Sequence, residues 1–315
     1  MWKLIVGRIG QGMVTVIAIS VLIFVLTQML SGDVASAVLG HYAMPDTLAA
    51  FRKELGLSAP AHERYVNWLW GAMRGDLGIS MTNQRIIIDV LLPRLKNTLF
   101  LAGYAALLAI PLSVCLGVLA AINEGKLIDK ASNVLTLITI SIPEFLIGYL
   151  MIILFVVNLE WFPSLATVYP GMTFGERVYI TTLPAVALTL LVAAHMLRMT
   201  RNSVLSVMSS PYIETAILKG AKRRRVISRH ALPNAAAPIV TVVALNMAYL
   251  VVGVVVLENV FVYPGIGQLM VDAVTKRDVP VIQACGLVFG IVFVVLNMLA
   301  DVAIILVNPR LRHWR

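Results

Sequence analysis

Two acids stand where an acid is costly. Glu144 follows Pro143 inside the apolar stretch SIPEFLIGY, and Asp301 lies inside another apolar run. A charge at the centre of a bilayer costs at least about 2.5 kcal/mol unless it is paired or wet. Glu144 is therefore read as a candidate pathway residue facing water or a neighbouring subunit, and Asp301 as paired with a base such as Arg198 or Arg201. His195 has no His, Cys or carboxylate three or four residues away, so it reads as a packing residue rather than a ligand. Cys115 and Cys285 lie in apolar runs with no partner at ligand spacing and read as small buried hydrophobes. No metal, cofactor or catalytic residue is expected on this chain. It has no G-x-x-x-x-G-K-[ST] phosphate loop, and neither G-x-S-x-G nor H-E-x-x-H to support a hydrolase inside a membrane.

A different chemistry is written in YIETAILKGAKRRRVISRHALP, residues 212–233, a basic and helix-forming stretch between two apolar runs. Ser210-Pro211 reads as a helix start, with the serine capping free amides and the proline placed where its missing N–H does no harm. Glu214 then falls in the first turn, where the helix dipole favours a carboxylate. Ile213, Ala216, Ile217 and Gly220 share one face, and two of the four are small. Such a face outside the lipid suits a groove on another protein. The run Lys222 to Arg225 suits anionic headgroups.

The elements that must position these residues come from hydropathy. Of 315 residues, 59% are apolar and 13% charged, against roughly 25% charged in soluble domains, which excludes an ordinary soluble protein. Six runs, near 9–30, 98–122, 132–157, 180–200, 235–257 and 282–307, are long enough to span a membrane, giving an all-α polytopic membrane protein. The net charge of +9 sits in short segments beside those runs, so it orients the chain rather than binding nucleic acid. With both termini cytoplasmic, the inner segments hold fifteen of the 25 bases and only three acids, Glu124, Asp129 and Glu214. The segment 31–97 then lies outside. Within it DTLAAFRKELGL reads as a short helix, and PAHERYVNWLWGAMRGDLG as a second with Tyr65, Trp68, Leu69 and Met73 along one stripe. That helix reads as a cap on the membrane surface or a contact for an external partner. Two parts follow: 1–97, a transmembrane helix plus outer segment, and 98–315, a five-helix core holding the basic loop at about 198–234.

Glu214, Ala216, Gly220 and Leu232-Pro233 stand at the spacing of the EAA loop of ABC-transporter permeases, with Thr215 and His230 departing from the commonest residues. ENVFVYPGIGQLMVDAVTKRDVPVIQ, NPRLR, GDLGIS and SIPEFLIGY extend the match, so that the chain resembles the dipeptide, oligopeptide and nickel permeases, B-type, over nearly its whole length. The resemblance implies a type I importer permease fold in a bacterial inner membrane. It implies coupling to an ATPase through Glu214, Thr215, Ala216, Ile217, Gly220, Leu232 and Pro233. It also implies a paralogous permease as partner, two cytoplasmic ATPase subunits that carry the ATP and Mg, and a periplasmic or lipid-anchored binding protein. Peptides are the expected cargo, with nickel chelates, opines or oligosaccharides as alternatives. The alternative from another class, a self-sufficient secondary carrier, would show internal repeats, and none is evident between the two halves.

Overall fold

The computed structural model describes residues 2–29, 44, 46, 59–169 and 171–307; among them the chain is helical apart from turns and one antiparallel bridge, Ile79 to Ile86. In chain order the helices begin with α1 (Trp2–Met29), α2 (Ala61–Met73) and α3 (Ile87–Ile122). Next come α4 (Leu127–Ser141) and α5 (Glu144–Ile152), the latter running into a wider π turn at Ile153–Asn158. Then follow α6 (Phe174–Met208), α7 (Pro211–Leu218) and α8 (Arg223–Val226), which widens at Ile227–Ala231 and leads into α9 (Leu232–Val260). The chain closes with α10 (Ile266–Lys276) and α11 (Val279–Val307). Of the first expected outer helix, at 46–56, only Asp46 is among the described residues, and the closing NPRLR lies outside them.

Five helices are long and apolar enough to cross a membrane, six if α4 and α5 count as one bent crossing. The run 132–157, continuous in hydropathy, is not one helix: it breaks into α4 and α5, bent by 100°. Proline is the cause. Pro143 has no N–H to continue α4, and its ring drives Ile142 into extended backbone, φ −87° and ψ 127°.

The chain divides into two compact units. In one, built on 100–263, α3 and α6 run parallel: Tyr104 meets Thr182, Thr189 donates to the carbonyl of Ala105, and Gly117 lies against Thr200. Two parallel helices need a return between them, and α4–α5 supplies it. Antiparallel to α6 runs α9, with Gly253 against Leu188 and Asn246 beside Met199. Their shared core includes Leu188, Met196, Leu250, Val254 and Leu257.

The other unit is built on 7–99 and 264–294. Here α1 and α11 pass antiparallel, and Gly286 and Gly290, one turn apart, admit Ile23 and Ile19 to close contact. Gln283 donates to Thr27 at 2.9 Å between the same two helices. The start of α3 is anchored here through Ile87 and Leu91, 2% and 1% exposed, which is why α3 begins well before the apolar run near 98.

Candidate functional site

Outside the long helices, α7 forms a short helix with two very different sides. Pro211 occupies its first turn as expected. Ser210 has the extended backbone of an N-cap, but its hydroxyl donates to the carbonyl of Val207 at 2.5 Å instead of capping α7. Ile213 is fully buried, in a small core with Val207, Met208, Ala216, Ala221, Val226 and Ala231. Half of that apolar face is therefore taken up within the chain, Ile213 and Ala216 fastening α7 to it, while Ile217 and Gly220 stay exposed. What remains exposed is Tyr212, Glu214, Thr215, Ile217 and Leu218, with Leu218 81% exposed. Leu232 is half-buried and Pro233 exposed at the start of α9.

Gly220 acts through backbone shape. Its φ is +78°, and nothing lies within 4 Å of a methyl group built on it, so glycine supplies a left-handed turn and not close packing within this chain. The turn closes α7. The amide of Ala221 donates to the carbonyl of Ala216 and that of Gly220 to Ile217, a Schellman pair whose Ala216 and Ala221 pack on the same small core. The spacing from Glu214 to Gly220 is thus the length of helix that this cap terminates.

Glu144 sits at the break, in the first turn of α5, exposed, with its carboxylate against Gly253 of α9. Among the described residues it makes no hydrogen bond or ion pair. At Gly253 a methyl group would come 3.2 Å from Leu188 of α6 and 4.0 Å from both carboxylate oxygens, so that glycine leaves α6 room against α9; α5 gains its room from Gly148, where a methyl would meet Val260 at 2.8 Å.

Arg201 is taken by Asp129 rather than Asp301: its Nε and Nη2 reach the two carboxylate oxygens at 2.5 Å and 2.8 Å. Asp129 also accepts from the Gly125 amide and from Asn133, so a buried carboxylate ties the start of α4 to the last third of α6. His195, expected to pack, is exposed on α6. Asn246 spends its amide mainly on the carbonyl of Val242, within α9. Cys115 is exposed and Cys285 buried, both free, and no metal-holding cluster occurs among the described residues.

Two polar centres escaped the sequence reading. Asp278, 2% exposed, accepts from the hydroxyls of Ser80 and Thr82 at 2.5 and 2.8 Å and from the amides of Met81 and Thr82, pinning the turn after GDLGIS. Glu258 is fully buried beside Tyr263, and burial pushes the Tyr263 phenol up against the smaller opposing pull of Thr181 and Arg177. Both lie in motifs quoted above, but a motif does not say which residues meet.

Residues 113–313 match the model of the inner membrane component of binding-protein-dependent transport systems, and residues 1–102 match the N-terminal model of such membrane components. The chain belongs to this family: it is a multi-pass permease subunit of an ABC importer, and not a catalytic subunit. It is similar to the probable peptide ABC transporter permease y4tP of Sinorhizobium fredii, 35% identical over 98% of this chain and 99% of that one. A putative peptide transport permease of Brucella abortus is 36% identical over 99% of this chain and all of its own length. The glutathione transport system permease GsiC of Escherichia coli is 36% identical over 95% of each.

Proposed function

We propose that this chain pairs with a paralogous permease to form the pathway by which peptides, delivered by an external binding protein, enter the cell. The observation that carries the reading is the similarity, end to end, to permeases named for peptide and glutathione transport. Two cytoplasmic ATPase subunits hold the ATP and Mg, and one of them receives α7 by the exposed side that carries Tyr212, Glu214, Thr215, Ile217 and Leu218. Ala216, Gly220, Leu232 and Pro233 belong to the same coupling element, shaping that helix and its junction with α9. Glu144 lines the pathway.

Six crossings and two cytoplasmic termini fit this reading. The parallel course of α3 and α6 favours counting α4–α5 as one crossing, which brings the loops at 123–126 and 209–231 to the same side. Both loops belong to the segments rich in bases, as the cytoplasmic side requires.

The test is the assembled complex in proteoliposomes with its binding protein. Small peptides loaded on that protein should stimulate ATP hydrolysis and accumulate inside, while nickel chelates, opines and oligosaccharides should not. Stimulation by one of those and not by peptides would overturn the substrate; uptake by this chain alone without ATP would overturn the class.

A further inference from the structure

The helix α2 has three sides of different character. Tyr65, Trp68, Leu69 and Ala72 recur at the helical repeat and turn toward the protein: Tyr65 meets Phe24 of α1 edge-on and Trp68 meets it at a tilt, and Tyr65 shares a 2.8 Å hydrogen bond with Ser20. About 100° round the helix, at the same repeat, stand Val66, Trp70 and Met73, 60%, 54% and 64% exposed. Met73, expected on the inward stripe, belongs to this one. Beyond them lie Glu63, Asn67 and Arg74, all exposed and polar.

The level of α2 is fixed by what it touches. Phe24 lies about 7 Å, and Ser20 about 13 Å, before the end of α1 at Met29. Both fall inside the apolar crossing Val6–Met29. Among the described residues, Gln28, which accepts from Arg64 at 2.8 Å, marks the outer limit of the contact. A helix held against the last turns of a membrane crossing lies at the depth of the acyl chains and headgroups. Its apolar stripe continues the exposed apolar surface of α1 around Val21, Leu22 and Val25. The Arg74 guanidinium stands over the Trp70 ring at 4.8 Å, so the aromatic is covered on its polar side by a cation suited to lipid phosphate.

We propose that α2 is embedded in the bilayer leaflet at the C-terminal end of α1, with Val66, Trp70 and Met73 against lipid and Glu63, Asn67 and Arg74 at the headgroups and water. The segment after the first crossing then contributes a second helix to the lipid-facing surface rather than a cap above it. This does not depend on the substrate reading.

The experiment uses the full chain in its complex in lipid nanodiscs, with Cys115→Ser and Cys285→Ala and single cysteines placed at Val66, Met73 or Asn67 for nitroxide labelling. Collision with oxygen, relative to an impermeant nickel chelate, should be several-fold more frequent at 66 and 73 than at 67. Equal access of the nickel chelate to all three sites would overturn the proposal. So would loss of both collisions at 66 and 73 on adding the system's binding protein, which would assign the stripe to a protein. Should labelled chains fail to assemble, acyl chains brominated near the headgroup should quench wild-type fluorescence more than that of Trp70→Phe; equal quenching would overturn the proposal as well.

Discussion

Replacing Gly220 separates two explanations of the same glycine. At φ +78° a residue with a Cβ bears a cost of about 1–2 kcal/mol, which multiplies opening of the cap by about 5- to 30-fold. No atom lies within 4 Å of the added methyl, so side-chain size adds nothing to that cost in the chain itself. Gly220→Ala and Gly220→Leu should therefore lose protection to a similar extent, and Gly220→Asn less, because asparagine tolerates the left-handed region. Hydrogen exchange reads this directly in the purified chain, at the amides of Gly220 and Ala221 that bond Ile217 and Ala216. In the assembled complex all three variants should insert normally, while Ala and Leu weaken substrate-stimulated ATP hydrolysis. Wild-type protection in Gly220→Ala together with loss in Gly220→Leu would refute the backbone argument and return the glycine to close approach.

Three further outcomes follow from named contacts. Arg201→Met leaves Asp129 buried without its base and should cost about 3–5 kcal/mol of stability, read as a lowered thermal midpoint; adding Asp129→Leu should restore most of it, and strictly additive losses would exclude the pair. Asp278→Ala removes the acceptor of four hydrogen bonds, each to a charged group worth about 1.5–3 kcal/mol, and should speed tryptic cleavage at Arg85 in the complex; an unchanged rate would mean the turn holds without it. Glu144→Gln should alter uptake of charged peptides more than neutral ones at unchanged complex yield and basal ATP hydrolysis; a loss of assembly for every substrate would instead mark Glu144 as an inter-subunit contact.

Length and hydropathy carried the crossings because a helix in lipid must be apolar over a fixed distance, whatever it packs against. The same measure hid the break at Ile142-Pro143, since residues on both sides of the bend are apolar; only the proline marked it, and a proline alone does not give an angle. It also missed the first turns of α3, where Asp89 and Arg94 lower the hydropathy although Ile87 and Leu91 are buried. On α7 the spacing of Ile213 and Ala216 correctly put them on one side. Periodicity shows which residues share a side and not what covers it: Ile213 and Ala216 of that side pack on their own chain, while Ile217 and Gly220 are left exposed. Arg201 had two acids within reach of its type, Asp129 and Asp301, and the choice belongs to the packing of α4 on α6.

On the proposed coupling through α7, these contacts determine how force applied to it travels. Only Ser209 and Ser210 separate α7 from α6, and Ile213 packs on Val207 and Met208 in the last turn of α6 as well as on Val226 and Ala231 leading into α9. A push on the exposed Leu218 cannot rotate α7 alone without opening that core, so it moves the ends of α6 and α9 together. Arg201 stands seven residues before the end of α6, about 10 Å along it, and its pair with Asp129 carries the displacement to α4. From there the chain reaches the bend at Pro143 and Glu144, whose carboxylate lies near α9 at Gly253. Both routes from α7, through α4 and through α9, thus converge on Glu144. Packed helices joined in a closed circuit move as one body or shift to a second packing, and the bend between α4 and α5 already lacks the helical bond that Pro143 has no N–H to donate. A change of angle there, driven from Leu218, would turn the Glu144 carboxylate without unfolding any helix.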